Sequence, residues 1–267
     1  MGLEGKVALV TGGGNGVGKA ISLRLASDGA NVIIGDILEK DAIDVHRQIV
    51  ESFGKKSLAI KVDVSSPSDV ATVVGQIVNE FGKIDILVAN AGIEQRPSPI
   101  IELDEEEWER VMTVNATGAF LCCKYTAKEM IRSGVQGKIV LISSINSNRS
   151  GSPLYGAYAA SKSAVIGLSS TLAVELAPYR INVNAICPGI IDTKMLKRIW
   201  EMKGAKIKKP FNEIMEAGVN SVPLKRLGRP EDVANCVAFL VSDEADYING
   251  AVIDITGGLR EVMGGRG

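Results

Sequence analysis

The chain has 267 residues, with 30 basic and 31 acidic side chains and one histidine, for a formal net charge of −1. That length fits one large domain or two small ones, and 46% hydrophobic residues supply a core, while balanced charge argues against a nucleic-acid binder and the lack of any window of about 18 apolar residues against a membrane span. Cys122, Cys123, Cys187 and Cys236 form no C-x-x-C pair and His46 stands alone, so neither a metal site nor a Ser-His-Asp hydrolase is expected.

Taken in chain order, apolar β-branched runs alternate with helical patterns. Strands are expected at Val7–Val10, Asn31–Ile34, Ser57–Val62, Ile84–Ala89, Gly137–Ile142, Ile181–Ile186 and Ala251–Ile255. Several are apolar in continuous rather than alternating runs, as in a parallel sheet covered on both faces. Helices are expected at Gly16–Asp28, at Pro67–Phe81 with Ser66 as cap, and at Asp104–Ile131 with an acidic first turn. Ala157–Ala177 and Pro230–Val241 complete the series. His46 lies in the charged, helix-like run Glu39–Glu51 and is expected at the surface.

Each parallel return needs a crossover helix, so the alternation predicts an α/β fold. It is a doubly wound parallel β-sheet of about seven strands, flanked by helices on both faces. No linker or repeat divides the chain, and residues 1–267 are expected to form a single domain. The segment 190–221 breaks the rhythm and reads as an excursion over the ligand face. The N-terminus carries no secretory pattern, and reduced cysteines suit a cytoplasmic setting.

Glycine is in excess, 29 of 267 or about 11% against an average near 7%. Part of that excess falls in Thr11-Gly12-Gly13-Gly14-Asn15-Gly16-Val17-Gly18, where the first strand turns into a helix. Gly12, Gly16 and Gly18 allow a sharp turn that brings backbone N–H groups to a pyrophosphate at the helix N-terminus. The spacing differs from G-x-G-x-x-G, but the strand–turn–helix context supports a dinucleotide. Asp36 closes the second strand, 18 residues past Gly18. A carboxylate there accepts from a ribose diol and repels a 2′-phosphate, which favours NAD over NADP. Asp63-Val64 and Asn90-Ala91-Gly92 also sit at carboxyl ends of strands, where ligands bind in open α/β sheets.

Tyr158 and Lys162 stand four apart on one predicted helix and share its face. A phenol is a poor base at neutral pH, and an adjacent ammonium stabilises its phenolate by roughly 3–4 kcal/mol. Ser143-Ser144 ends the fifth strand just upstream and offers a hydroxyl.

With Thr11–Gly18, Asn90-Ala91-Gly92, Asn115, Ser144, Tyr158/Lys162 and Pro188-Gly189 in order, the chain resembles the short-chain dehydrogenase/reductase superfamily, with its Rossmann-like fold, over almost its full length. The resemblance implies that Tyr158 exchanges the alcohol proton and that Ser144 positions the substrate oxygen. It implies that Lys162 holds the nicotinamide ribose and that Asn115 anchors a water leading from Lys162 to solvent. Asn15, Val17, Pro188, Gly189, Ile191 and Thr193 complete the implied cofactor site, Thr193 toward the carboxamide. Three departures stand out. Ser144 precedes Tyr158 by 14 residues, one more than is common in the family; Ala89 precedes Asn90; and Thr256 precedes Gly257-Gly258.

Loops bearing Glu94, Gln95 and Arg96, and Ile145, Asn146, Ser147, Asn148 and Arg149, are mostly polar. They suit a hydroxyl-rich substrate, or equally face solvent. Lys194, Lys197, Arg198, Lys203, Lys206, Lys208 and Lys209 form a basic run with Trp200 and Met202. It reads as a lid whose apolar face covers the substrate, or as a solvated helix face. The resemblance is nearest to NAD-dependent polyol, diol and sugar-alcohol dehydrogenases acting on a small alcohol or ketone, with a homotetramer implied. A 3-oxoacyl carrier-protein reductase is the alternative, and a nonenzymatic dinucleotide sensor a remoter one.

Overall fold

Val7–Thr11 is buried at every position and forms the interior strand β1. The computed structural model describes residues 2–147 and 153–264, apart from the side chains of 263 and 264. Asn148 and Arg149, expected to line the pocket, lie outside the described residues. With β1 run β2 (Asn31–Asp36), β3 (Ser57–Lys61), β4 (Ile86–Ala89), β5 (Lys138–Ile142), β6 (Asn182–Pro188) and β7 (Val252–Ile255). All pair in parallel in the order β3-β2-β1-β4-β5-β6-β7. The order reverses between β1 and β4, the switch point at which such sheets bind ligands.

The crossovers are α1 (Gly16–Ser27), α2 (Glu39–Phe53), α3 (Pro67–Phe81), α4 (Glu105–Met112), α5 (Gly118–Ser133), α6 (Gly156–Leu176) and α9 (Pro230–Leu240). The excursion between them holds α7 (Lys194–Ile207) and α8 (Phe211–Ser221), and α10 (Leu259–Gly264) closes the described chain. Alternate strand residues face opposite sides. Ala8, Val10, Val32 and Ile34 pack with Ile21 and Leu25 of α1, Val45 and Ile49 of α2, and Val233 and Val237 of α9. Val7, Leu9, Ile33 and Leu87 pack with Val70 and Ile77 of α3, Met130 of α5 and Val165 of α6. Two covered faces are why residues 7–10 of β1, all of β4 and residues 139–142 of β5 are continuous apolar runs. Each fully buried Leu or Ile is worth about 1.5–3 kcal/mol relative to exposure. The edge strands β3 and β7 are only partly buried.

Ser66 caps α3 as expected, its hydroxyl accepting from the Asp69 N–H at 3.3 Å, with Pro67 in the first turn. The expected helix Asp104–Ile131 is interrupted by a π-helical turn, Thr113–Thr117, between α4 and α5. His46 is half-buried on α2 rather than a plain surface side chain.

The excursion differs from a lid with an apolar underside. Trp200 is buried on α7, but its ring meets Phe211 of α8 at 6.4 Å between centroids and packs over Gly218. The apolar face of α7 therefore closes a helical hairpin on itself. Among the described residues, no helix is long and apolar enough to cross a membrane.

Candidate active site

The predicted loop segments lie at the carboxyl ends of β1 through β6, while Asn115 stands in the π-turn and Tyr158 and Lys162 on α6. The glycine turn is held by close backbone packing. A Cβ on Gly18 would stand 1.9 Å from the Gly12 carbonyl oxygen, and one on Gly12 would stand 2.9 Å from Ala91 Cα. Gly12 and Gly16 also adopt φ of +60° and +52°, a region other residues enter at a cost. Asn90 braces the turn. Its side-chain amide donates to the Thr11 and Gly12 carbonyls, at 3.0 Å each, and its N–H donates to Thr11 Oγ1 at 3.1 Å. Asn90 thus serves the site from behind, and Ala91-Gly92 present the backbone.

Asn15 precedes α1 without a side-chain cap, and no acidic residue occupies the first turn. The first N–H groups of α1 are orphaned within the helix, which fits a pyrophosphate. The buried Asp36 carboxylate accepts from the Gly14 N–H at 2.9 Å and the Leu38 N–H at 3.0 Å. Both bonds fix it at the end of β2. A groove of about 710 Å³ runs from Gly14–Gly16 past Lys19 and Arg47 to Asp192–Lys197. Thr193 meets the turn directly, its Cγ2 3.5 Å from where a Gly16 Cβ would sit, and its hydroxyl caps α7 at the Leu196 N–H. Val17 packs against the core and Ile191 lies within it. Gly189 donates to the Ile255 carbonyl at 2.8 Å, which pins the loop after Pro188. Asp63 folds back on Ser65, accepting from its N–H at 2.9 Å, and Val64 packs over Gly118.

Ser144, Tyr158, Lys162 and Asn115 converge. Ser144 stands near enough to the Tyr158 phenol to lower its pKa, and its hydroxyl accepts from the Asn146 N–H at 3.2 Å. Lys162 is buried and donates to the Ile142 carbonyl at 2.9 Å. Its Nζ lies 5.9 Å from the Tyr158 ring centroid. A Cβ on Gly92 would sit 3.2 Å from both Asn115 Oδ1 and Lys162 Nζ. Glycine there keeps the space beside the ammonium clear, which fits a bound ribose. The residues present therefore suit a nicotinamide dinucleotide.

The electrostatics differ from expectation in one respect. Burial raises the Tyr158 phenol, a hydrogen bond from Ser144 lowers it, and the Glu94 charge raises it again. Burial also pushes Lys162 down to about 8, with Cys187 acting weakly the other way. The expected depression of the tyrosine by its lysine is thus reversed in the protein itself. Both groups are withdrawn from water, and desolvation opposes each charged form.

Some contributions were invisible in the sequence. Asn115, in the π-turn, accepts from the Ile93 N–H at 2.8 Å and donates to the Ile93 carbonyl and to Ser161 Oγ, both at 3.1 Å. Ser161 donates in turn to the Tyr158 carbonyl at 2.8 Å. The Asn115 amide is therefore a tie between the π-turn, the loop after β4 and α6. Of the pocket loops, Gln95 is fully buried and Ser147 nearly so, while Glu94 pairs with Arg198 of α7. Lys206 donates to the Pro97 carbonyl at 3.0 Å. A Gln in a polar loop carries no signal of burial, but Asn and β-branched residues clustered at Thr113–Thr117 are poor helix formers and foreshadow the interrupted helix.

A family model described as enoyl-(acyl carrier protein) reductase matches residues 12–260. A 3-oxoacyl-[acyl-carrier-protein] reductase of Thermotoga maritima is 39% identical, over 97% of this chain and 99% of its own. Levodione reductase superposes with a TM-score of 0.92 at 33% identity, covering 97% of this chain and 98% of its own. NAD+-bound xylitol dehydrogenase follows at 0.91 and 34%, covering 96% and 99%. The chain belongs to the short-chain dehydrogenase/reductase family. It is an oxidoreductase of that kind, and the family works with nicotinamide dinucleotides.

Proposed function

We propose that the protein interconverts a secondary alcohol and a ketone with NAD(H), on a small polar polyol, diol or sugar alcohol. The observation that carries the cofactor preference is Asp36, buried at the end of β2 and followed by the exposed apolar side chains of Ile37 and Leu38. A carboxylate accepts from a ribose diol and repels a 2′-phosphate. The likeness to NAD+-bound xylitol dehydrogenase supports the same reading. When bound, the nicotinamide supplies the hydride acceptor or donor.

The chain's own residues handle the oxygen and the proton. Ser144 Oγ holds the substrate oxygen beside Tyr158, and the phenolic oxygen accepts the alcohol proton or returns it to the ketone. Lys162 holds the ribose beside Gly92 and adds positive charge near the phenol. With the Asn115 side chain committed to Ile93 and Ser161, its backbone in the π-turn is left to anchor the water toward solvent. Residues 190–221 serve as the lid, joined to the loop after β4 through Arg198–Glu94 and Lys206–Pro97. Exposed apolar side chains such as Phe120 on α5 and Val174 on α6 support a homotetramer, which light scattering would test.

The Thermotoga maritima relative favours a second reading, reduction of a 3-oxoacyl thioester on a carrier protein. The exposed Lys206, Lys208 and Lys209 would suit an acidic carrier. Reduced-cofactor absorbance with NAD or NADP, against polyols, diols, hydroxyacids and oxoacyl thioesters, separates the two. Turnover of a diol or polyol with NAD supports the first reading. Thioester reduction with NADPH far above the rest replaces it with the second.

A further inference from the structure

The catalytic helix α6 begins without help from its own neighbours. Tyr155 precedes it with no side-chain cap, and the first intrahelical bond runs from the Ala159 N–H to the Tyr155 carbonyl. The N–H groups of Gly156, Ala157 and Tyr158 have no partner within the helix. One of them is supplied from a distant loop. Gln95 Oε1 accepts from the Tyr158 N–H at 3.1 Å, across 63 positions of sequence.

The same amide acts on the residues before the helix. Gln95 Nε2 donates to the Leu154 carbonyl at 3.0 Å. Leu154 has φ +76°, a left-handed conformation that a branched side chain rarely takes. The Ser98 N–H donates to that carbonyl as well, at 3.0 Å, and Ser98 bridges to Tyr155. Gln95 itself has no exposed surface.

The loop that carries Gln95 is rigid because three other side chains hold it. Glu107 accepts from the Arg96 N–H at 2.7 Å, Arg110 donates to the Glu94 carbonyl at 2.9 Å, and Asn115 pairs with both polar groups of Ile93. Arg110 also pairs with Glu107 at 2.9 Å. A buried, doubly bonded amide on a loop fixed from α4 and the π-turn is a means of setting where α6 starts.

We infer that Gln95 is a positioning residue for the proposed proton transfer. It caps α6 at the tyrosine itself and holds Leu154 in its left-handed turn, so that the phenol stays within reach of Ser144. The inference rests on the role proposed for Tyr158. Gln95→Leu keeps the volume and removes both bonds, leaving the Tyr158 N–H without its cap and the Leu154 carbonyl with Ser98 alone.

The test compares the unaltered protein, Gln95→Leu and Tyr158→Phe. In Gln95→Leu, kcat is expected to fall about tenfold to a hundredfold, the scale set by small displacements of reacting groups. Dinucleotide Kd should stay within twofold. The pH midpoint of kcat should move up, because a phenol withdrawn from Ser144 loses the bond that lowers its pKa. A lower Tm with unchanged kcat and pH profile would overturn the inference. Hydrogen exchange on the unaltered protein decides the matter even if the variant does not fold: strong protection of the Tyr158 amide is expected, and exchange at the rate of an exposed loop would refute the cap. Residual turnover in Tyr158→Phe would instead defeat the proposed chemistry, independently of Gln95.

Discussion

Lys162 lies one turn beyond Tyr158 on α6, yet its ammonium donates to the Ile142 carbonyl at 2.9 Å, 5.9 Å from the tyrosine ring centroid. Its charge is therefore fixed beneath the cleft by β5, where burial makes the charged form costly.

That cost predicts a stability change with a defined pH window. The folded chain gives up the Lys162 proton near pH 8, and the unfolded chain near 10.5. Between those values the unfolded chain holds the extra proton, so this group's contribution to stability rises with pH. Lys162→Met removes the penalty, about 3 kcal/mol at pH 7, and leaves the Ile142 carbonyl unpaired at about 1 kcal/mol. Denaturant unfolding should find the variant more stable by about 2 kcal/mol at pH 7, the gain fading toward pH 10.5. A destabilised variant at pH 7 would contradict a strained buried lysine.

Gly18 and Gly75 should respond in opposite directions to alanine. At Gly18 the methyl would meet the Gly12 carbonyl at 1.9 Å, so Gly18→Ala should abolish dinucleotide binding. Gly75 is exposed within α3, with nothing within 4 Å of its missing Cβ. Gly75→Ala should stabilise by about 0.5–1 kcal/mol. Thermal melts and dinucleotide titration check both, and Gly18→Ala binding at parental affinity would refute the packing account of the turn.

Much of this was legible in advance. The strand runs of β1, β4 and β5 are continuous because both sheet faces are covered, and a carboxylate at the end of β2 needs only the strand end to be found. The carboxyl-edge residues followed from strand ends and turns. What remained hidden depends on contacts between distant segments. Nothing local marks Gln95 as buried, and nothing local sends Trp200 of α7 toward α8 instead of the cleft. The reversal at Tyr158 was hidden for a different reason. Helix spacing places a charge nearby but says nothing about how much water both groups lose.

Asp36→Ser should shift cofactor preference. Removing the carboxylate removes a diol acceptor and the repulsion toward a 2′-phosphate. NAD+ affinity should fall about tenfold, the scale of one lost charge-assisted hydrogen bond, while NADP+ affinity rises. Fluorescence titration with both cofactors measures the ratio, and an unchanged ratio would remove Asp36 from recognition.

The contact between Arg198 and Glu94 joins α7 to the loop after β4. Arg198→Ala should raise KM severalfold with kcat within twofold, and should speed hydrogen exchange across Lys194–Ile207. Unchanged KM and exchange would leave α7 as a solvated helix. Replacing Lys208 and Lys209 with Ser, which keeps the Lys206–Pro97 tie, should weaken only an anionic substrate, with a reduced salt dependence.

The most direct measurement is turnover of Tyr158→Phe beside the unaltered protein, with NAD+ and the best alcohol of the panel, together with NAD+ titration of both. Loss of the phenolic oxygen removes the group that exchanges the proton and little else, so turnover should vanish while NAD+ binds with nearly parental affinity. Substantial turnover by the phenylalanine variant would contradict the central claim.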